Sequence, residues 1–514
     1  MSEIGAQQGT AGTAGTAAGL TAGPGARERA WVWGIIAVVF LINLLTASRS
    51  PTVWKDEVMF VDPAVNWVMG NGFVSTAWPG QSYHTTWASN APLHSMLLCP
   101  WLKVFGISPT AGRSVNFVYI SIAAYLCWLA AARGRWIRTP RNRILLVALI
   151  LLGNGVSFAY RSGRYDTLAM LVLSSVGFLS TVRNPRARMV GLLAAGFLAP
   201  WTGLHTIPFL AIMGVVLPVC LGWRTLRMLV PMGIGMVAGG AAFYGYLHAI
   251  GAWSDFLAYT SGMQATPHSE HFVPPDYYHR TLRTLADITE TRDYSLIVMA
   301  GLLIIVVAAR RALPLRVVAF GFATAFLVPV AFAVAYTFAS YYTWMVYIPL
   351  TVAVLALGER GAPRFNRGAG TLAAGVQATV LGGVMMVGLP ARLGLMAKEW
   401  QWRDYSAVGA LVQSNLNHSD VALISPLAYY PVKLLAGQTF LEVNTGRMTP
   451  QEIAAVTVVV LEEEEVGVTT SGLPGHWRRV AAMPPPPGSM GLHRRHLYAL
   501  VVLRRDDGPS ATQP

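Results

Sequence analysis

The sequence has little charge. Of its 514 residues, 12% are charged and 54% are hydrophobic. A soluble globular domain carries about 25% charged residues, so this composition excludes an ordinary water-soluble protein. The mean hydropathy is +0.47, and several apolar runs approach the roughly 20 residues that cross a bilayer. The composition therefore predicts a polytopic α-helical membrane protein.

Cysteine is also scarce. Cys99, Cys127 and Cys220 lie in apolar surroundings, and no two of them have a paired spacing. This pattern excludes a disulfide framework and a cysteine-based zinc site.

Acids are few, and the basic residues are unevenly placed. The chain has 38 lysines and arginines against 24 acids, a formal net charge of +14. Every second short connection between apolar runs is rich in arginine and nearly free of acid, which is typical of cytoplasmic loops. We predict eleven membrane spans, at residues 31–47, 113–132, 144–160, 166–182, 188–201, 205–222, 226–250, 294–309, 315–337, 342–358 and 370–391. The N-terminus is then cytoplasmic, and the odd number of spans places the C-terminal region outside.

This topology divides the chain into three parts. Residues 1–29, rich in Gly, Ala and Thr, are predicted to be a disordered cytoplasmic leader. Residues 30–391 are the transmembrane module, with long outer loops at 48–112 and 251–293. Residues 392–514 are predicted to be a small extracytoplasmic soluble α/β domain.

Local patterns predict elements within these outer parts. In the first outer loop, residues 58–69 and 93–105 have the pattern of amphipathic helices. In the C-terminal region, strands are predicted at 421–424, 456–461 and 498–503, a capping box at Thr449–Glu452, and a solvated surface turn at the acidic run 462–465.

Two adjacent acids, Asp56 and Glu57, directly follow the first span. Carboxylates are expensive to hold near hydrocarbon, so acids at membrane depth usually mark a site. The short outer loop between the third and fourth spans, Arg161-Ser162-Gly163-Arg164-Tyr165-Asp166, adds a third acid and two arginines. Arginine binds phosphate oxygens bidentately, and a carboxylate can take a proton from a hydroxyl. The alternative is that Asp166 pairs with Arg161 or Arg164 and only fixes the turn.

Histidines and tyrosines extend the candidate set. His84 and His94 flank a non-helical stretch of the first outer loop, and Tyr341-Tyr342 open the tenth span, either in the aromatic belt or against a substrate. His268 and His271 belong to the second outer loop, either as metal ligands or in a solvated loop. The candidate ligands of a divalent metal ion are Asp56, Asp166, His268 and His271. His205, near a span end, is interpreted as an interfacial side chain.

The order of these segments resembles a known family. Asp56-Glu57 and an amphipathic helix are followed by Ala91-Pro92-Leu93-His94 and the run 97–106. The Arg161–Asp166 loop, the segment 191–196, and Tyr341-Tyr342 with Pro349 come next. This order is similar to that of the GT-C fold integral-membrane glycosyltransferases that use polyprenyl-phosphate sugars, such as the protein O-mannosyltransferases and the lipid A aminoarabinose transferases. The resemblance covers roughly residues 30–360.

The resemblance implies roles for the candidate residues. Asp56 would be the catalytic base, with Glu57 supporting substrate placement, and Asp166 would be the second acid of the cavity. The donor phosphate would be held by Arg161 and Arg164, while Tyr341 or Tyr342 would line the donor groove; His84, His94 and Lys55 complete the substrate set.

This sequence departs from the family at two positions. Many relatives have a lysine just before the proline of the first outer loop, where this chain has Asn90-Ala91-Pro92. Many also have a Thr-Lys pair after the sixth-span turn, whereas Thr202-Gly203-Leu204-His205 has none. Phosphate binding would then depend on the arginines or on Lys55.

The expected function is transfer of a sugar from a polyprenyl-phosphate donor to a lipid, glycan or protein hydroxyl, at the outer face of the cytoplasmic membrane. The absence of a nucleotide-binding glycine pattern in the soluble segments fits a lipid-linked donor, and nothing points to nucleic acid. A secondary transporter is a second possibility, although no internal repeat is evident and charges lie almost wholly at span ends. A third is a non-catalytic membrane protein of envelope assembly, in which the acids only pair with basic neighbours.

Overall fold

The computed structural model describes residues 24–78, 81, 83–88, 91–264, 294–335, 340–360, 362–363, 367–484 and 497–506. The predicted leader and most of the second outer loop, including His268 and His271, therefore lie outside the described residues.

Helices dominate the first 400 residues. They are α1 (Ala26–Thr46), α2 (Lys55–Val68), α3 (Pro92–Phe105), α4 (Pro109–Arg133), α5 (Pro140–Leu152), α6 (Asn154–Arg161), α7 (Asp166–Leu179), α8 (Pro185–Thr202), α9 (Thr206–Leu221), α10 (Leu226–Ala249), α11 (Trp253–Gln264), α12 (Tyr294–Ala309), α13 (Leu315–Ala335), α14 (Trp344–Gly358), α15 (Arg367–Val387) and α16 (Leu389–Lys398). Two short strands, β1 (Arg310–Arg311) and β2 (Ala362–Pro363), pair antiparallel between the helices.

These helices make the chain a multi-pass membrane protein. Four helices are long and apolar enough to cross a bilayer, and the number rises to six if two bent pairs each form one span. One of these pairs is α5 with α6, bent by 47° at Gly153. Each of the eleven predicted spans overlaps a helix, but α7, α9, α12 and α14 are short. The span count of eleven stays a prediction.

The predicted helices of the first outer loop are confirmed as α2 and α3. Helix α2 begins at Lys55, so Asp56 and Glu57 lie in its first turn. Carboxylates are favourable there because the amides of a helix N-terminus carry partial positive charge. The pair of acids is therefore part of the helix that starts the loop.

The last hundred residues contain a mixed sheet with short helices. The helices are α17 (Tyr405–Asn415), α18 (Tyr429–Leu435), α19 (Pro450–Ala455) and α20 (Glu463–Thr470), and the strands are β3 (Val421–Ile424), β4 (Gln438–Leu441), β5 (Val458–Leu461), β6 (Trp477–Met483) and β7 (Leu500–Arg505). The strand order is β4-β3-β5-β7-β6, with β3 parallel to both of its neighbours and β7 antiparallel to both of its own. The predicted strands match β3, β5 and β7, and the capping box at Thr449 is present. The predicted turn at 462–465 is wrong, because Glu463 begins α20.

The sheet region packs directly on the first outer loop. One buried apolar cluster joins Val58 and Val61 of α2 to Leu98 of α3 and to Tyr429 and Tyr430 of α18. The C-terminal region therefore lies against the helix that carries Asp56.

Candidate active site

Arg164 joins two of the three predicted catalytic acids. Its Nε donates to Oδ2 of Asp166 at 2.8 Å, and its Nη1 donates to Oδ2 of Asp56. Asp166 is the first residue of α7 and is fully buried, whereas the side chain of Asp56 is 25% exposed. Two carboxylates from different loops are thus brought to one guanidinium.

The Arg164 guanidinium is surrounded by aromatic rings. It lies 3.7 Å from the centroid of the Tyr341 ring and between 5 and 6 Å from the rings of Tyr165, Phe60 and Trp54. Burial acts to lower the pKa of Arg164, but the carboxylates outweigh it and raise that pKa well above its usual value. The arginine is therefore a permanent cation at the centre of the site.

Residues of other segments hold the loop that carries Arg164 in place. Trp54 Nε1 donates to the carbonyl of Ser162 at 2.8 Å, and Asn116 Nδ2 donates to the carbonyl of Arg164 at 2.8 Å. Gly163 has φ of +70°, and its α-carbon packs against the side chain of Glu57. This left-handed turn separates Arg161 from Arg164 and points them to different partners.

Arg161 turns away from the acids. Its guanidinium donates to Asn43, to Thr46 Oγ1 at 3.1 Å and to the carbonyl of Ser50 at 2.6 Å. It is 1% exposed, so its bonds tie α6 to the end of α1. The structure does not bring Arg161 to Arg164, Asp56 or Asp166.

Glu57 faces a different partner from Asp56. Its carboxylate accepts a bidentate pair from Arg113, with Nε at 2.9 Å and Nη2 at 2.5 Å, and a third bond from the Tyr430 hydroxyl at 3.2 Å. Both charged side chains are completely buried. Burial raises the pKa of the Glu57 carboxyl, and the Arg113 guanidinium opposes that shift. Glu57 therefore lies in a structural ion pair, separate from the Arg164 group.

Lys55 and His84 lie at the edge of the first outer loop. Lys55 is exposed at the start of α2. The His84 side chain is 66% exposed and lies 3.3 Å from the carboxylate of Glu452 in the C-terminal region. His84 thus contacts the sheet region, whereas Lys55 remains beside Asp56 in sequence.

Two buried histidines accompany Asp166. His94 is 0% and His205 is 6% exposed, and neither ring makes a hydrogen bond within the described residues. The Gly163 backbone lies close to His94 and acts to raise its pKa. Burial lowers the pKa of His94 to about 4, against the opposing effect of Asp166. The Oδ1 atom of Asp166 is likewise buried without a described partner. Buried polar atoms in proteins are nearly always hydrogen-bonded, so these atoms can bind a polar ligand.

Tyr341 and Tyr342 contact different residues of the site. Tyr341 covers one face of Arg164, while Tyr342 is 3% exposed and stacks on His205 with ring centroids 5.1 Å apart. The Tyr342 hydroxyl lies 3.5 Å from the hydroxyl of Tyr165. Both tyrosines therefore border the site, and the interpretation of His205 as an interfacial side chain is wrong, because its ring is enclosed.

Possible metal ligands are not clustered among the described residues. Among them, no three His, Cys, Asp or Glu side chains are grouped so that they could hold a metal ion. Asp56 and Asp166 share the guanidinium of Arg164 instead. The divalent metal ion, with Asp56, Asp166, His268 and His271 as its candidate ligands, stays a prediction.

Two structural residues were not predicted. From the sequence, Arg113, which pairs with Glu57, is only the first residue of the second predicted span. Asp62 has no role that the sequence predicts. An arginine at the predicted outer end of a span is an exception to the positive-inside pattern, and Asp62 is an acid within a run of apolar residues. The unusual positions of Arg113 and Asp62 in the sequence each indicate a charged side chain with a buried partner.

An apolar cavity of about 620 Å³ lies among the helices below the site. Met170 of α7, Phe209 of α9 and Trp344 of α14 line it, and Trp344 also lies 6.1 Å from the His205 ring. Arg224 and Arg360 lie along its opposite part, in loops that the arginine pattern assigns to the cytoplasm. No residue of the Arg164 group lines the cavity, and Met170 and Trp344 are the lining residues that lie nearest to that group in the chain.

Comparisons with known proteins were made at three levels. No protein-family model matches this sequence, and no curated protein matches it in sequence. Among solved structures, ArnT from Cupriavidus metallidurans, bound to undecaprenyl phosphate, is similar with a TM-score of 0.62, covering 95% of this chain and 100% of that chain at 14% identity.

Two further structures have lower scores. Arabinofuranosyltransferase AftD from Mycobacteria has a TM-score of 0.44 at 15% identity, over 93% of this chain and 40% of that chain. The Archaeoglobus fulgidus oligosaccharyltransferase has a TM-score of 0.46 at 12% identity, over 86% of this chain and 70% of that chain. The similarity to ArnT extends over nearly the whole chain, and it confirms the GT-C fold that the sequence resemblance implied.

Proposed function

We propose that this protein transfers a sugar from a polyprenyl-phosphate donor to an acceptor hydroxyl at the outer face of the cytoplasmic membrane. The observation that carries the proposal is the bridge from Arg164 to Asp56 and Asp166. It creates one polar site from two loops. The similar structure of ArnT was solved with undecaprenyl phosphate bound.

Asp56 is the proposed base. Only its Oδ2 contacts Arg164, so Oδ1 is left to accept a hydrogen bond from the acceptor hydroxyl. The acceptor oxygen attacks the anomeric carbon, its proton passes to Asp56, and the bond to the donor phosphate breaks with its electrons on the phosphate oxygen. A single displacement of this kind inverts the anomeric centre. Positioning by Arg164 lowers the barrier because the base is held ready for the attack.

The donor phosphate needs more than Arg164. Two carboxylates and one guanidinium sum to a charge of −1 around that arginine, which repels an anion unless a further cation is present. Lys55 is exposed next to Asp56, and we assign it this role. The phosphate role that the resemblance implied for Arg161 is not part of this proposal, because its guanidinium is bound to Asn43, Thr46 and Ser50.

The remaining buried groups suit the sugar and the lipid. The neutral imidazole of His94 and the free Oδ1 of Asp166 offer hydrogen bonds to sugar hydroxyls. The apolar cavity beyond Trp344 suits the polyprenyl chain, because apolar surface is stabilised there away from water.

The direct test is turnover with labelled undecaprenyl-phosphate sugars by purified protein. We expect Asp56→Asn to abolish transfer while expression and thermal stability stay at wild-type levels. Asp506→Asn is the matched control, because Asp506 is an exposed aspartate paired with Arg478 in the C-terminal region, and it should retain full activity. Full activity in Asp56→Asn would refute the assignment of the base, and no turnover of any polyprenyl-phosphate sugar by wild type would refute the function.

A further inference from the structure

The C-terminal region contacts helix α2 through two buried acids. The Tyr430 hydroxyl donates to Glu57 at 3.2 Å. One turn and a half further along α2, Asp62 accepts a bond from the Tyr429 hydroxyl at 2.6 Å and pairs with Lys433 Nζ at 3.2 Å. All three donors belong to α18, so one short helix reaches two carboxylates of α2.

The side chains that form these contacts are buried. Glu57 and Asp62 are 0% exposed, and Tyr429, Tyr430 and Lys433 are between 1% and 5% exposed. Removing one partner of a buried charge is strongly unfavourable because the other charge is left uncompensated. Breaking one of these contacts should therefore cost more than breaking an exposed ion pair, which contributes little.

The two acids flank Asp56 around the helix axis. A helix turns by about 100° per residue, so Glu57 lies about 100° from Asp56 in one direction. Asp62, six residues on, lies about 120° from Asp56 in the other direction. Two restraints on opposite sides of Asp56 fix the rotation of α2, and rotation is the motion that would move the Asp56 carboxylate away from Arg164.

Asp62 also organises the loop that follows α2. Its Oδ2 accepts bonds from the Ser75 hydroxyl at 2.9 Å and from the backbone amides of Thr76 and Ala77 at 2.7 and 3.2 Å. Lys433 Nζ in turn donates to Thr76 Oγ1 at 3.2 Å. The contact between Asp62 and Lys433 therefore fixes both the position of α2 and the conformation of residues 75–77, in the loop that leads to His94.

We infer that Tyr430 and Lys433 are positioning residues, which hold α2 so that Asp56 meets Arg164. The inference rests on the proposed function for the role of Asp56. It assigns the C-terminal region a part in the reaction, although none of the residues that carry the restraint touches Arg164.

The test uses the full-length protein with Lys433→Met, Lys433→Arg and Tyr430→Phe. A displacement of the base by about 1 Å costs on the order of 100-fold in rate, so we expect Lys433→Met to lower kcat by about 10- to 100-fold. The donor KM should change less than kcat, because Arg164 and the apolar cavity do not lie on α2, whereas Lys55 does. Lys433→Arg should recover most of kcat, and Tyr430→Phe should show a smaller fall than Lys433→Met. Hydrogen exchange of the amides in residues 55–60 should become faster in Lys433→Met.

Arg504→Gln is the matched control. It breaks the Arg504–Asp420 pair at 2.9 Å within the same region without touching α2. The inference is overturned if Arg504→Gln lowers kcat as much as Lys433→Met at equal loss of thermal stability, or if Lys433→Met leaves kcat and exchange unchanged. If wild type turns over no donor, the proposed function fails while the exchange measurement still tests the restraint on α2.

Discussion

The guanidinium of Arg164 lies 3.7 Å above the ring of Tyr341 while its edge binds Asp56 and Asp166. The aromatic contact and the two ion pairs therefore restrain the same guanidinium. A planar cation restrained in both ways holds the two acids in a defined relative position.

Replacing Tyr341 tests the contribution of the ring. Tyr341→Leu removes the cation–π contact, which contributes up to about 2 kcal/mol in a desolvated site. We expect kcat/KM to fall by up to about 30-fold, measured with the donor that wild type turns over. Tyr341→Phe keeps the ring and should retain most activity. Equal losses in both variants would show that the hydroxyl, rather than the ring face, is the important group.

The two arginines of the outer loop should respond differently to mutation. Arg161→Gln removes buried bonds to α1, and bonds from charged groups contribute about 1.5–3 kcal/mol each. We expect a clear fall in melting temperature in detergent, with an unchanged donor KM in the folded fraction. Arg164→Gln should instead abolish turnover. An Arg161→Gln protein of normal stability with a raised donor KM would return Arg161 to the phosphate site.

The contrast between these arginines also shows what the sequence could predict. The loop Arg161–Asp166 was recognisable because its charges are rare in an apolar chain. Which arginine meets the acids depends on the last turn of α6 and the left-handed turn at Gly163. Such a difference of direction within three residues depends on tertiary packing, which no local pattern specifies.

The sequence also did not predict which charged residues pair when they lie far apart in the chain. Asp56 and Glu57 are adjacent, yet helix geometry points them to Arg164 and Arg113, which come from different elements. The apolar runs predicted the helices well, since burial in lipid demands long hydrophobic segments. Partners 56 or more residues apart, such as Glu57 and Arg113, are set by the packed fold instead.

Gly163 is predicted to be sensitive to a methyl group. Its φ of +70° is unfavourable for any other residue, and a Cβ built there would lie 2.6 Å from Cγ of Glu57. We expect Gly163→Ala to destabilise the protein by more than about 1 kcal/mol and to reduce activity by moving Arg164. Gly233→Ala, in α10 with nothing within 4 Å of the added carbon, should be neutral or stabilising. Equal melting temperatures for the two variants would contradict this account.

His94 should make stability depend on pH. Its pKa is lowered to about 4 in the folded protein from a usual value of 6.5, so between these values the unfolded chain binds a proton that the folded protein does not. Stability should therefore fall as pH decreases from about 6.5 to about 4, by up to roughly 3 kcal/mol, and level off below that range. The measurement is the melting temperature of wild type and His94→Gln at several pH values, because the variant lacks the titrating group. The variant should show a flatter profile across this window, and parallel profiles would mean that His94 titrates normally and that its burial has no effect on proton binding.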